Sequence, residues 1–362
     1  SLDEEYGRFH HALITQGIEG FANLPPMVDP AVQATMDVLT RLQVPAMFSD
    51  ENLGGMVLAR MANLSLAHGN GHGSCFAYAW LAGFAGAHLG DADSARKLVS
   101  LAVRLVERPE LGRYRARVLC LFGYLVTPWI DSLHEGRERL VIANEAARAD
   151  GDVTFMSYTS NHLVTLAIGT GEPLDQVEAQ IERGRELARK AQFGLVTDFF
   201  TGQLRLVRAL RGREPAFLPC ASSSEIAAGF EARLARDPLR AIAACWYWIR
   251  KLQAQYHLGD FEAAEASADR ASALLWTSTA DFEIAEYHFF AGLTCATLAR
   301  SGASDRAAAR LGAARQHHDR LAAWARECPA TFAHREALVR AQIAAASGAV
   351  EEARTAFEQA ID

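Results

Sequence analysis

Four times in this chain a glycine is followed by small or apolar residues five, nine and twelve positions later. The sets are Gly90/Ala95/Val99/Ala102, Gly259/Ala264/Ala268/Ala271, Gly302/Ala307/Leu311/Ala314 and Gly348/Ala353/Phe357/Ala360. Glycine takes the left-handed conformation at a helix end without a Cβ clash, so each copy closes one helix. Asp91 and Asp260 follow directly, where a carboxylate accepts from the free N–H groups that open the next helix, worth about 1 kcal/mol. Glu262, Glu351 and Glu352 place negative charge in a first turn, where it suits the helix dipole. The alanine at the fifth position keeps the two helices close, and the later positions continue the same stripe. Repetition in one register marks helical hairpins stacked in series.

The periodicity elsewhere is almost entirely helical. Helices are expected at about 31–43, 51–68, 74–89, 92–107, 112–127, 133–150, 153–169, 174–191, 194–211, 223–236, 239–258, 261–275, 281–300, 303–326, 331–347 and 350–361. The expected fold is an all-α, TPR-like α-solenoid of about eight antiparallel helical hairpins forming a right-handed superhelix. The distances between Gly259, Gly302 and Gly348 exceed the 34 residues of a standard tetratricopeptide repeat, so the helices are longer than standard. Pro109, Pro128, Pro173, Pro238 and Pro329 fall between helices or in a first turn. Residues 1–30, with Pro25, Pro26 and Pro30, read as a loosely packed lead-in, and 31–362 as a single repeat domain. The stretch 212–224, with Pro215 and Pro219, reads as an irregular loop. Neither end carries an obvious polar capping helix, which is the pattern of a piece cut from a longer protein.

Half of the 362 residues are apolar and 22% are charged, with a net charge of −7, so the chain is ordered and has no basic excess for nucleic acid. Local arginine runs (Arg113, Arg115, Arg117; Arg205, Arg208, Arg211, Arg213) sit among acids at helical spacing and read as solvated faces. Cys75, Cys120, Cys220, Cys245, Cys295 and Cys328 form no Cys-x-x-Cys, and most lie in apolar helical stretches, the usage of reduced core thiols in a cytoplasmic protein. The N-terminal residues do not read as a signal peptide, and the most apolar stretch, 75–89, is too short to span a bilayer, so no membrane insertion is expected.

Catalytic motifs are missing: no Walker-type phosphate loop, no kinase catalytic-loop triplet and no Gly-x-Ser-x-Gly elbow occurs. Asn70-Gly71-His72-Gly73 reads as a turn. The adjacent pairs His10/His11 and His317/His318 point about 100° apart on a helix and form no bidentate clamp. Neither cofactor nor metal is expected. The densest aromatic cluster is Cys245-Trp-Tyr-Trp-Ile-Arg-Lys251. Two readings stand side by side. In one, the helix is fully buried and Arg250 pairs with an acid such as Glu283 or Glu286. In the other, Arg250 framed by Trp246 and Tyr247 makes an anion or carboxylate site, faced by Glu286 and His288 from a later helix.

Several stretches together resemble one family. These are Asn63-Leu-Ser-Leu-Ala-His-Gly-Asn70, Ser74-Cys-Phe-Ala-Tyr78, Pro128-Trp129, Gly151-Asp152 with Tyr158, Gly202-Gln-Leu-Arg205, Ala244-Cys-Trp-Tyr-Trp-Ile-Arg-Lys-Leu252, Leu274-Leu-Trp-Thr277 and Glu286-Tyr-His-Phe289. They resemble the helical-repeat segment of the bacterial trifunctional proteins that join a serine/threonine kinase, a STAND-type ATPase and a sensor histidine kinase. The resemblance runs from about residue 30 to the end and is most specific at Trp246–Lys251. It implies a non-catalytic sensor and scaffold in two-component signal transduction. Its partners would be other domains of the same polypeptide and a protein or small-molecule effector, with ATP bound by the parent. A passive spacer or oligomerisation module is the alternative, and an enzyme in a helical fold a remote one.

Overall fold

The structure, a computed structural model, describes residues 2–87, 91–213, 221–278, 280–301 and 304–361. Every element among them is helical. The helices are α1 (Leu2–Ala22), α2 (Pro30–Ser49), α3 (Glu51–His68), α4 (His72–Ala87), α5 (Ala92–Val106), α6 (Arg115–Leu121), α7 (Thr127–Ile130), α8 (Leu133–Ala149) and α9 (Val153–Gly169). They continue as α10 (Leu174–Lys190), α11 (Gly194–Leu210), α12 (Ala221–Arg236), α13 (Ala241–His257), α14 (Phe261–Ser272), α15 (Glu283–Ser301), α16 (Ser304–Glu327), α17 (Pro329–Ala346) and α18 (Val350–Ile361). No described helix is long and apolar enough to cross a membrane.

The expected punctuation is present where it is described. Gly259 and Gly348 have φ of 79° and 77°. The N–H after each reaches back to close the helix, Asp260 to the Gln255 carbonyl at 3.0 Å and Ala349 to that of Ala344 at 2.9 Å. Asp91 caps α5 through Ser94 N–H at 2.9 Å, and Asp260 caps α14 through Ala263 N–H at 3.2 Å. Ala95, Val99 and Ala102 are buried, as are Ala264, Ala268 and Ala271. The third set is shallower, with Ala314 buried but Ala307 and Leu311 only half-buried, and in the fourth Phe357 and Ala360 are half-buried. Gly90, Gly302 and most of the 212–224 loop lie outside the described residues. The same closure recurs where no repeat was read, at Gly151, Gly171 and Gly212, and at Gln192 with φ 55°.

The chain groups into two compact units, 1–130 with 135–159, and 131–134 with 160–362, where the sequence reads as one repeat domain. The boundary falls within α9. In the first unit α2 packs on α3, α3 on α4 and α4 on α5, while α1 packs on α3 and α5. Two expectations change here. The lead-in is helical over Leu2–Ala22, broken only at Gly17, and it is tied down. Phe9 and Phe21 are fully buried and meet Tyr78 at ring-centroid distances of 6.4 and 5.9 Å. Asn70 donates to the Phe21 carbonyl (2.7 Å), accepts from Tyr78 (3.1 Å) and exchanges backbone bonds with Pro25 and Met27. Secondly, the helix expected to stop before Pro128 runs on through a π turn at Phe122–Val126, where Thr127 N–H bonds to the Phe122 carbonyl. Gly123 sits at this turn because α8 passes closely; a Cβ there would lie 2.9 Å from the Gly136 carbonyl oxygen.

In the second unit α10 packs on α11, each helix from α12 to α17 packs on its successor, and the odd-numbered ones also pack on each other: α11 on α13, α13 on α15, α15 on α17. This inner row carries the candidate site.

Candidate functional site

Helix α13 is surrounded by protein. Every residue from Ile242 to Gln255 except Lys251 is buried, which is what an unbroken apolar run with interleaved Trp and Tyr requires. Trp246 stacks on Phe199 at 4.1 Å, and its indole N–H donates to Ser278 Oγ at 2.9 Å. Tyr247 donates its hydroxyl to Glu231 (2.8 Å) and accepts from Arg205 (3.0 Å); burial pushes its pKa up, and Glu231 adds to that.

Arg250 is only 2% exposed and points into the unit. Its guanidinium donates to Glu283 at 3.0 Å and to Gln253 at 2.9 Å, and lies 3.8 Å from Glu286. Gln253 in turn donates to Glu286. Thr165 of α9 donates to Glu283 at 2.8 Å, and Gln203 of α11 donates to Thr165 at 3.0 Å. A second buried arginine completes the set. Arg335 of α17 reaches Glu286 at 3.4 Å, the Gly169 carbonyl at 3.1 Å and the Thr331 carbonyl at 2.7 Å. Its guanidinium also lies over the rings of Phe282 and Phe289. Burial lowers the Arg335 pKa, and Glu286 opposes that shift. Two arginines and two glutamates thus share one dry interior across α9, α11, α13, α15 and α17. Both the pairing with Glu283 and the approach to Glu286 expected for a buried helix are present.

The five sequence candidates therefore separate. Arg250 and Glu286 meet in the buried network, Trp246 packs on Phe199, and Tyr247 reaches its margin with Arg205 and Glu231. His288 faces elsewhere: its Nδ1 lies 2.9 Å from Nδ1 of His317 in α16, beside Trp324. One ring must be an acceptor for that bond, so at least one is neutral. Burial pulls His288 down to about 3, with His317 and Arg320 adding to the shift, and pulls His317 down to about 4. His318 turns away to Glu336 at 2.7 Å.

Sequence reasoning missed the outer cover of this helix. Arg233 and Arg205 lie over Phe230 at 4.9 and 5.0 Å, and Arg205 lies 5.7 Å from the Tyr247 ring. Lys251 and Arg270 lie over Trp248 at 4.9 and 4.5 Å. Arg233 is clamped to Asp198 and Lys251 to Glu231, but Arg205 and Arg270 have no carboxylate partner among the described residues. In the sequence Arg205 reads as part of a solvated arginine run and of the Gly202–Arg205 stretch; Phe230 and Arg270 come from other helices.

The buried thiols are poor nucleophiles. Burial pushes Cys75 and Cys245 up to about 12 and Cys295 up to about 11. Among the described residues no cluster of three or more His, Cys, Asp or Glu side chains could hold a metal ion. No protein-family model, curated protein or solved structure matches the chain.

Replacing Arg250 by Met leaves Glu283 buried and short of its cation, and unfolding in urea is expected to show a loss of about 3–5 kcal/mol. Adding Glu283→Leu should recover part of that loss; strictly additive losses would show that the pair is not coupled. The histidine pair sets an acid limit. In the unfolded chain both rings protonate near 6.5, whereas the folded protein resists protonation down to about 4 or below. The unfolded state binds more protons in that window, so stability falls as pH drops from about 6.5 to about 4. His288→Phe/His317→Phe should flatten that slope in thermal melts, and parallel wild-type and variant curves would contradict it.

Proposed function

We propose that this chain is a non-catalytic sensor and scaffold of TPR-like repeats, an α-solenoid wound as a right-handed superhelix within a multidomain bacterial signalling protein. In this reading it receives a protein partner or small effector and sets the state of the ATPase and kinase modules of its parent. The observation that carries the reading is the repeated hairpin itself: a helix closed at a positive-φ residue, a small residue on the next helix, and an inner row in which α11, α13, α15 and α17 each pack on the next. Such rows have mainly neighbour contacts and expose continuous surfaces. The buried ionisable groups of the inner row are taken up in joining helices, which suits a framework more than a reaction centre. The stretches resembling the trifunctional signalling proteins, above all Trp246–Lys251, supply the link to kinase and ATPase modules, and the reading places the chain in the cytoplasm beside them.

The partner surface in this reading is the cationic cover of α13. Arg205 and Arg270 hold positive charge without a carboxylate, in a chain whose net charge is −7, so the complementary partner is acidic. The test has two parts. The coding sequence should continue into ATPase and kinase modules. In that full protein, replacing the exposed Arg270 by Glu should alter the response of autophosphorylation or ATP hydrolysis to partner binding while changing the melting temperature little. A gene without those modules contradicts membership. An unaltered response in the variant leaves the passive-spacer reading in its place.

A further inference from the structure

In the first unit α1 and α3 line an open cleft of about 390 Å³, within the range of small-molecule sites. Arg8 and Gln16 line it from α1, and Arg60, Asn63, Leu64 and His68 from α3. The lining holds two arginines and a histidine and no carboxylate. Glu5, beside the cleft, is already engaged. It pairs with Arg60 at 3.2 Å and accepts from the Asn63 amide nitrogen at 2.5 Å. Arg8, Gln16 and His68 make no hydrogen bond or ion pair among the described residues. Asn63 is 93% buried by its 7% exposure, and with its nitrogen turned to Glu5 its carbonyl oxygen has no partner. The cleft therefore offers guanidinium and amide donors without an acceptor, from Arg8 and Gln16.

We infer that this cleft binds a small oxyanion on a short carbon skeleton, such as a phosphate ester or a polycarboxylate. A guanidinium presents paired N–H groups that match carboxylate or phosphate oxygens, so the unpaired Arg8 takes the charge, beside Arg60 in its pair with Glu5. Gln16 donates to a remaining oxygen. Leu64 and Ala67 supply an apolar wall for the carbon skeleton. The site deepens the effector reading above and rests on it only for the consequence of binding, not for binding itself.

Isothermal titration of the full chain with citrate and with glycerol 3-phosphate, at ionic strength matched by sodium chloride, tests the assignment. At least one probe should saturate at one site per chain, and which one does distinguishes carboxylate from phosphate chemistry. Arg8 is unpaired and exposed, so Arg8→Gln should fold normally by circular dichroism and bind about tenfold more weakly. Arg354→Gln, in α18 and outside the cleft lining, should bind like wild type. Saturation by neither probe, or wild-type binding by Arg8→Gln and His68→Gln, overturns the inference. Saturable binding with no change in the parent's ATP hydrolysis upholds the site and defeats the effector reading alone.

Discussion

Two arginines and two glutamates, shut away from water, join five helices of the second unit. Removing ions from water costs several kcal/mol each, and the cost is offset only when opposite charges and hydrogen bonds meet in good geometry. Arg250 meets that condition through Glu283 and Gln253, and Glu283 through Arg250 and Thr165. Because each charge meets its opposite on another helix, none of α13, α15 and α17 can slide or rotate without stranding a charge. Apolar packing tolerates such shifts far better. The network thus acts on register: it selects one arrangement of α9, α11, α13, α15 and α17 among the many that Ala- and Leu-rich faces would accept.

Around that interior, the hairpins are punctuated one by one. Gly259 and Gly348 were legible because small residues follow at fixed distances. Gly171 was not, although it has φ of 73° and closes its helix the same way. After it, the buried side of α10 is Val177, Ile181, Gly184 and Ala188, one residue later than in the other copies, because Pro173 occupies the cap position. Gln192 shows the limit of reading glycines at all: a left-handed helix end held by the Phe193 N–H bond to the Ala188 carbonyl needs no glycine. The lead-in was misjudged for a related reason. Its prolines mark the segment after α1 rather than α1 itself, and the side chain that pins it, Asn70, lies far along the chain in what reads locally as a plain turn.

The candidate site was legible in part. An arginine inside an apolar helix demands an acid, and Glu283 and Glu286 were the acids at hand. What the sequence could not show was that Arg335, Thr165 and Gln203 join them, since nothing local links residues so far apart. Nor could it show that His288 turns from Glu286 toward His317. Adjacent helical residues point in different directions, so Glu286 and His288 serve two separate contacts, one ionic and dry, the other a bond between two imidazoles. The cationic residues over Phe230 and Trp248 are similarly assembled from α11, α12, α13 and α14, and only the folded chain brings them together.

The central claim is that the buried charges make the inner row one cooperative unit. Native-state hydrogen exchange of the wild type and of Glu286→Gln, read helix by helix, addresses it directly. The variant removes one charge from α15 alone, leaving Arg335 of α17 without its carboxylate. The expected result is a joint loss of amide protection in the second half of α9 and in α11, α13, α15 and α17. A loss confined to α15, with the other helices as protected as before, would contradict it.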